Sequence, residues 1–224
     1  MKPIVVAITG EAHSGKDTSA DYVVSYLKSL GANAIKIGLA DRLKFICQRL
    51  VKLFYNIDIP IEDFFDMDKK EEIRYDYPQF AGQPFKLRTI LQLVGSEVFR
   101  EQLWSSIWCD YVYRTFLAEE NYHVIVISDC RFPDELEYFM NLHRTQKLSD
   151  IISCRLVRPT KQAISAQNQL HQSEQHISKL PVQFEIINDQ TLIDLQSKLK
   201  EIIIDKIIHS EVGEIVNDIC NQII

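Results

Sequence analysis

Five short apolar runs recur along the chain, each bounded by polar or glycine-containing sequence. Residues 3–9 and 122–128 are apolar on both faces, which is typical of strands at the centre of a parallel sheet, where both faces are covered. Three further runs, residues 34–39, 151–157 and 184–187, predict three more strands. The pattern therefore predicts a sheet of about five strands.

Stretches with helical periodicity separate these runs. They cover residues 16–30, 40–55, 87–99, 103–119, 132–143 and 190–208. In the second of them, one apolar stripe contains Leu43, Ile46, Cys47, Leu50, Leu53 and Phe54. Because strands alternate with helices, the sequence predicts a three-layer α/β/α fold in which helices cover both faces of a parallel sheet.

Three segments lie outside this alternation. Residues 57–84 are acidic, aromatic and irregular, and we interpret them as a substrate-side cap. Residues 159–180 are rich in Gln, Ser and His without a clear period, which is typical of a loop or lid. The domain predicted for residues 1–208 is followed by an amphipathic helical extension, residues 209–224. Its apolar stripe must be buried on its own domain or on a second subunit, and the second case predicts a homodimer.

The composition of the 224-residue chain narrows the classes of function. A formal net charge of −6 argues against broad nucleic-acid binding, because such binding depends on surplus Lys and Arg at the phosphates. No stretch approaches the roughly 18 apolar residues of a membrane span, so no membrane partner is expected. The five cysteines are scattered and never spaced as CxxC, which predicts a reducing, cytoplasmic location rather than a disulfide framework or a zinc site.

The strongest chemical signal is the G-x-x-x-x-G-K pattern of residues 10–16, which follows the first predicted strand and opens a predicted helix. Successive backbone amides of such a loop form a concave nest for phosphate oxygens, and the helix N-terminus adds partial positive charge. Lys16 is placed to reach the β- and γ-phosphates. The residues assigned to ATP binding here are Gly10, His13, Ser14, Gly15, Lys16, Asp17 and Thr18.

Two oxygen-bearing side chains are candidates for a Mg²⁺ site. Asp17 stands where Ser or Thr usually follows the lysine, so Thr18, one position later, is the hydroxyl assigned to the metal. Asp129 ends an apolar strand and is the second candidate ligand, because ligands of α/β sheets lie at the carboxyl ends of strands. Arg131 is predicted to clamp the transferring phosphate. With Lys16, these two residues are the predicted catalytic groups, although Asp129 could instead cap the next helix.

Two motifs stand out beside the phosphate loop. Residues 128–135 are Ser-Asp-Cys-Arg-Phe-Pro-Asp-Glu, and residues 171–174 are His-Gln-Ser-Glu. They resemble the D-x-R-F-P-x-E and His-x-Ser-Glu motifs of the phage-type deoxynucleoside monophosphate kinase family, which shares its fold with the adenylate kinases. The other stretches that carry this resemblance are residues 14–21, 39–44, 88–97, 158–159 and 187–189.

This resemblance implies Mg-ATP as the phosphate donor and a deoxynucleoside 5′-monophosphate as the acceptor, on a P-loop fold like that of the nucleoside monophosphate kinases. It implies that Arg88 holds the acceptor phosphate and that Gln92, one helical turn later, reads the base. It also places Asp41 on the acceptor side. On the donor side it adds Arg158 and Asn188 to the ATP-binding residues.

Departures from the family leave other functions open. His13 stands where Lys or Arg is frequent, and residues 57–84 have no close match. Animal-type phosphomevalonate kinases share the Ser-Gly-Lys-Asp and Ser-Asp-x-Arg stretches, so the acceptor could be a phosphorylated isoprenoid precursor. The chain could also be a regulatory module that binds ATP without an acceptor, but Arg88, Asp129 and Arg131 argue against that function.

Overall fold

A computed structural model describes residues 2–118, 121–159 and 176–210 of the chain. The chain divides into two compact units, the first made of Met1–Gly38 with Cys109–Ile224 and the second of Leu39–Trp108. Most of the predicted lid and nearly all of the predicted tail helix lie outside the described residues. The candidate cap falls within the second unit.

The first unit is built on a five-stranded sheet in which all neighbouring strands are parallel. Its strands are β1 (Ile4–Gly10), β2 (Ala34–Ile37), β3 (Val124–Ile127), β4 (Asp150–Val157) and β5 (Phe184–Ile187). They lie in the order β2-β3-β1-β4-β5. All residues of the central strand β1 are buried, which explains why its sequence does not alternate between apolar and polar residues.

The described α-helices follow the predicted stretches, except for one short helix inside the candidate cap, a segment that the sequence analysis interpreted as irregular. They are α1 (Lys16–Ser29), α2 (Asp41–Tyr55), α3 (Met67–Glu71), α4 (Leu87–Gln92), α5 (Ile107–Val112), α6 (Pro133–Arg144), α7 (Leu192–Leu199) and α8 (Asp205–Ile208). Wider π-type turns extend α4, extend α5 and join α7 to α8, over Leu93–Leu103, Tyr113–Leu117 and Lys200–Ile204. No described helix combines the length and the apolar character needed to cross a bilayer.

Helices cover both faces of the sheet. One buried cluster joins alternate residues of β1 to the inner sides of α1, α7 and the π-type turn after α7, and its members include Ile4, Val6, Ile8, Val23, Leu27, Leu199 and Ile203. The intervening strand residues point to the opposite face, where α6 packs against β4. The predicted fold class, a P-loop α/β/α fold with a parallel sheet of about five strands, is confirmed.

The second unit has its own core. Phe85 is buried and contacts Tyr77 and Tyr55 edge-on, with ring centroids 5.0 and 6.2 Å apart. Leu43 of α2 packs so closely on Gly95, in the π-type turn after α4, that a Cβ at position 95 would collide with it. A larger residue at position 95 would therefore force the Leu43 side chain to shift.

The apolar stripe predicted along α2 is wrong at its C-terminal end. Leu43, Cys47 and Val51 are buried, whereas Leu53 and Phe54 are 77% and 78% exposed. The buried positions are four residues apart, which makes a narrow ridge on one face of the helix. The predicted stripe is wider than this ridge, because a sequence pattern does not show how much of a helix its neighbours cover.

Thr191 caps the N-terminus of α7, and its substitution measures how much this cap stabilises the protein. Its hydroxyl accepts a hydrogen bond from the Asp194 amide, and the Asp194 carboxylate accepts one from the Thr191 amide. Thr191→Ala is expected to lower the free energy of unfolding by about 1 kcal/mol in urea denaturation. Ser197→Ala in the same helix is the control, because the Ser197 hydroxyl donates to the Ile193 carbonyl oxygen within the helix rather than to the helix N-terminus. An equal loss in the control would contradict a capping role.

The same cap has a pH dependence. Hydrogen bonds from Thr191 hold the pKa of Asp194 below its usual value. A carboxyl with a lowered pKa stabilises the fold above its unfolded pKa, and this contribution is lost as the pH falls through the folded pKa. The difference in stability between the wild type and Thr191→Ala is therefore expected to shrink in acid. A difference that stays constant as the pH falls would show that the cap does not depend on the carboxylate.

Candidate active site

The loop that follows β1 lies at the middle of the carboxyl edge of the sheet. β1 pairs with β3 on one side and with β4 on the other. The connection from β3 to β4 therefore passes over β1. In open α/β sheets, ligands bind where the strand order reverses in this way. Asp129 and Arg131 after β3, Arg158 after β4 and Asn188 after β5 share this edge of the sheet with the loop.

Gly10 and Gly15 shape this loop. A Cβ on Gly10 would lie 2.8 Å from the carbonyl oxygen of Leu156 and would collide with Ser14 Oγ. Gly15 directly precedes α1 with a φ of 100°, a left-handed conformation that glycine adopts without strain. The tight turn from strand to helix therefore depends on glycine at both positions, as the sequence motif predicts.

The start of α1 is arranged for an anion. Gly15, the residue before the helix, has no side chain that could cap its first turn, and the first four amides of a helix have no partner inside the helix. Lys16 begins the helix, with its Nζ 3.4 Å from the carbonyl oxygen of Glu11. The hydroxyl of Ser14 is buried and has no hydrogen-bond partner in the described part of the chain. The amides of a helix N-terminus, the helix dipole and an ammonium group together suit phosphate oxygens.

Asn188 reaches the phosphate loop from the end of β5. Its side-chain Nδ2 donates a hydrogen bond to the carbonyl oxygen of Ser14 at 2.8 Å. Its backbone amide donates to the carbonyl oxygen of Val157, also at 2.8 Å, and the residue is buried. The structure thus places Asn188 against the loop predicted to bind ATP, and a direct contact with ATP stays a prediction.

Asp17 contacts the end of β3. Its Oδ1 accepts a hydrogen bond from Ser128 Oγ at 3.3 Å, and Ser128 directly precedes Asp129. Thr18, the predicted hydroxyl ligand, is exposed in the first turn of α1. Within the described ranges, His, Cys, Asp and Glu side chains do not come together in groups of three or more that could hold a metal ion. Carboxylate and hydroxyl oxygens suit Mg²⁺, which in kinases takes one or two carboxylates together with substrate phosphates and water.

Glu135 caps the residues at the start of α6. This buried carboxylate accepts hydrogen bonds from the backbone amides of Arg131 and Phe132, at 2.8 and 3.1 Å. Glu135 therefore supplies an acceptor for these two amides, and the roles predicted for Asp129 stay predictions. It also holds the backbone of Arg131, the predicted phosphate clamp, in place beside the carboxyl end of β3.

Two further residues of the predicted ATP site are exposed at this edge. His13 lies in the phosphate loop with a φ of 63°, a left-handed conformation that is uncommon outside glycine. Arg158 directly follows β4. Both side chains are accessible to a ligand, and their assignment to ATP stays a prediction.

The residues assigned to the acceptor all belong to the second unit. Arg88, in the first turn of α4, pairs with Glu71 at the end of α3, with 2.6 Å between Nε and Oε1. Asp41 pairs with Lys44 at 2.8 Å, and Gln92, one turn after Arg88, is half-buried. This unit therefore presents an arginine that a carboxylate already orients.

The buried cysteines are poor candidates for nucleophiles. Burial raises the pKa of Cys154, in β4, to about 12 and that of Cys47, in α2, to about 12. A reactive thiol needs a lowered pKa to form a thiolate near neutral pH. Cys109 and Cys130 are buried as well. Cys47 and Cys154 are therefore poor nucleophiles.

The sequence analysis assigned no individual role to three side chains of these sites: Ser128 and Glu135, which belong to the motif of residues 128–135, and Glu71. Glu135 had a usable signal, because an acidic residue three positions after the start of a helix is a common capping pattern. Ser128 adjoins a residue that was assigned. Glu71 has no local signal, because its partner Arg88 lies 17 positions away and only folding brings the two together.

No known protein family and no curated protein matches the sequence. An APS kinase of Mycobacterium tuberculosis, solved with AMPPNP and APS, is 12% identical, with a TM-score of 0.41 over 90% of this chain and 96% of that chain. The protein APE1195 is 13% identical, with a TM-score of 0.44 over 90% and 97%. A plasmid partition protein from Borrelia burgdorferi is 17% identical, with a TM-score of 0.34 over 92% and 100%. Similarity at this level carries no argument about function, and the fold class rests on the strand order.

Glu135 offers a test of how the Arg131 segment is held. Glu135→Ala is expected to lower the free energy of unfolding by about 2 kcal/mol, because two amides at the start of α6 lose their acceptor. Glu137→Ala is the matched control two residues away, since its exposed ion pair with Arg144 is worth less than about 0.5 kcal/mol. Urea denaturation measures both variants. Equal losses would show that the Glu135 contacts do not stabilise this segment.

Proposed function

We propose that the chain is an ATP-dependent kinase that transfers the γ-phosphate of ATP to a (deoxy)nucleoside 5′-monophosphate, giving the diphosphate. The observation that supports this most strongly is the loop after β1. Its two glycines permit a tight turn, the helix α1 begins directly after Gly15, and Lys16 is the first residue of that helix. The nucleotide acceptor rests on the resemblance of residues 88–97 and 128–135 to the deoxynucleoside monophosphate kinases.

The donor is Mg-ATP. The amides of the loop and Lys16 bind the β- and γ-phosphates, since both present positive charge where the phosphates approach the helix N-terminus. Thr18 and Asp129 are the residues that would hold Mg²⁺. Asp17, next to Thr18 in the sequence, offers a further carboxylate oxygen. When bound, the ion would neutralise part of the phosphate charge.

Phosphoryl transfer asks for positioning and charge neutralisation rather than covalent catalysis. A phosphate oxygen of the acceptor attacks the γ-phosphorus, and the bond from that phosphorus to the β–γ bridging oxygen breaks. ADP then leaves with the electron pair of that bond, and the acceptor becomes a diphosphate. Lys16 and Arg131 neutralise the charge that spreads over the γ-phosphoryl oxygens in the transition state.

The acceptor is received by Arg88, Gln92 and Asp41. Among the described residues, the ion pair with Glu71 engages Nε of Arg88, so the two terminal nitrogens form a fork for phosphate oxygens. The side-chain amide of Gln92 has both a donor and an acceptor for a base edge. Because a guanidinium fork matches a phosphate dianion, Arg88 is the main contact for the acceptor phosphate.

Lys16→Ala tests the donor site. The substitution is expected to lower kcat by at least about a hundredfold while the circular dichroism spectrum is unchanged, because the positive charge nearest the transferring group is lost. Lys36→Ala is the control, since this lysine lies on β2 and pairs with Asp21 at the surface. A folded Lys16→Ala variant with near-normal turnover would rule out the phosphate-loop assignment.

Arg88→Ala tests the acceptor site. It is expected to raise the KM for the monophosphate at least about tenfold and to change the KM for ATP little, because only the acceptor phosphate loses its fork. Arg114→Ala, which removes an exposed arginine paired with Asp110, is the control. The assay measures ADP release with dGMP, dTMP, dCMP, dAMP, their ribonucleotides and phosphomevalonate offered singly. An equal rise in both constants would argue against acceptor binding by Arg88.

The same panel separates the alternatives. Reaction with phosphomevalonate alone would replace the acceptor and leave the donor site intact. ATP binding without reaction of any acceptor would favour a regulatory module.

A further inference from the structure

Asn188 contacts the phosphate loop at a single peptide group, the one between Ser14 and Gly15. Its Nδ2 donates to the Ser14 carbonyl oxygen at 2.8 Å, and the residue is only 9% exposed. A trans peptide is planar, so its C=O and N–H point in opposite directions. A carbonyl held on the Asn188 side therefore directs the N–H of Gly15 to the other side.

This peptide group needs a restraint from outside the loop. Gly15 has a φ of 100°, and glycine moves between backbone conformations at little steric cost. A reversed Ser14–Gly15 peptide would present a carbonyl oxygen in place of an N–H to a bound phosphate, so attraction would become repulsion. A bulkier residue is not a solution, because a Cβ on Gly15 would lie 2.6 Å from Asn188 Nδ2.

Asn188 is itself firmly placed. Its backbone amide donates to the carbonyl oxygen of Val157, which continues the pairing of β4 with β5 beyond the last residue of β5. The buried side chain of Leu195, from α7, lies 3.8 Å from the position that a Cβ on Gly15 would take. The sheet therefore holds the backbone of Asn188, and α7 packs beside Gly15 at the same part of the loop.

We propose that Asn188 is a positioning residue whose side-chain amide fixes the Ser14–Gly15 peptide, so that the Gly15 N–H faces the phosphates of the bound nucleotide. This inference rests on the proposed phosphate site. It differs from a contact between Asn188 and the donor base, because a restraint on the loop affects every ligand that binds through phosphate, whether or not the ligand carries a base.

Calorimetric titration of the full chain with Mg-ATP and with magnesium tripolyphosphate tests this role. Asn188→Ala is expected to weaken both ligands about tenfold, the effect of one buried hydrogen bond. Gln183→Ala is the matched control, because Gln183 precedes β5, at the end of the strand opposite to Asn188, and its amide oxygen accepts a hydrogen bond from the Ser153 amide of β4. This variant is expected to bind both ligands as the wild type does. Weakened Mg-ATP with unchanged tripolyphosphate would show a base contact and overturn the proposal.

Asn188→Asp gives a second readout that a general loss of stability would not produce. The substitution keeps the size of the side chain and places a carboxylate against the Ser14 carbonyl oxygen. When protonated, the introduced carboxyl can donate a hydrogen bond again, so the affinity for tripolyphosphate relative to the wild type is expected to recover as the pH falls from about 8 to about 5. A ratio that does not change with pH would overturn the proposal. Thermal unfolding followed by circular dichroism confirms that each variant is folded at the temperature of titration.

Failure of this inference is distinct from failure of the phosphate site. Wild-type protein that binds neither ligand would remove the phosphate site, and the role of Asn188 with it. Binding by the wild type that Lys16→Ala abolishes and both Asn188 variants retain would remove the role of Asn188 alone.

Discussion

Parallel hydrogen bonding of β1 to β3 and β4 is the constraint on which the candidate donor site depends. It places the glycine loop at the middle of the carboxyl edge, where Gly10 lies opposite Leu156 of β4. Because β1 is buried on both faces, a slip in register would break the packing of apolar residues on both sides. The ends of β3, β4 and β5 are fixed relative to the loop by the same pairing.

Hydrogen bonds at this edge then position individual residues of the site, whose approximate places the strand pairing already determines. Asn188 bonds to Ser14, Ser128 bonds to Asp17, and Glu135 bonds to the amide of Arg131. Asn188, Ser128 and Glu135 are buried, so a lost partner would leave an unsatisfied polar group, which costs more than the hydrogen bond contributes when made. The arrangement that suits phosphate is therefore coupled to the stability of the first unit.

The sequence predicted the strands and most helices of the first unit because their signals are local. Five apolar runs became five strands, and the helices after β1 and β3 begin close to where glycine and proline place them. Prediction was weaker in the second unit. Trp104 is extended, so the helix expected from residue 103 begins at Ile107, and Leu53 and Phe54 are exposed despite their apolar spacing. Exposure depends on the neighbours that a helix acquires on folding, and a periodic pattern does not contain them.

The phosphate loop is the part of the site that the sequence by itself determined. Two glycines, a lysine, a preceding strand and a following helix lie within one short segment, so their geometry follows from local backbone preferences. Only the tertiary structure decided which side chains support that loop. Asn188 lies 174 positions from Ser14, and Ser128 lies 111 positions from Asp17. Contacts over such separations exist only because the strand order β2-β3-β1-β4-β5 brings the ends of β1, β3 and β5 to one edge, and no local pattern encodes that order.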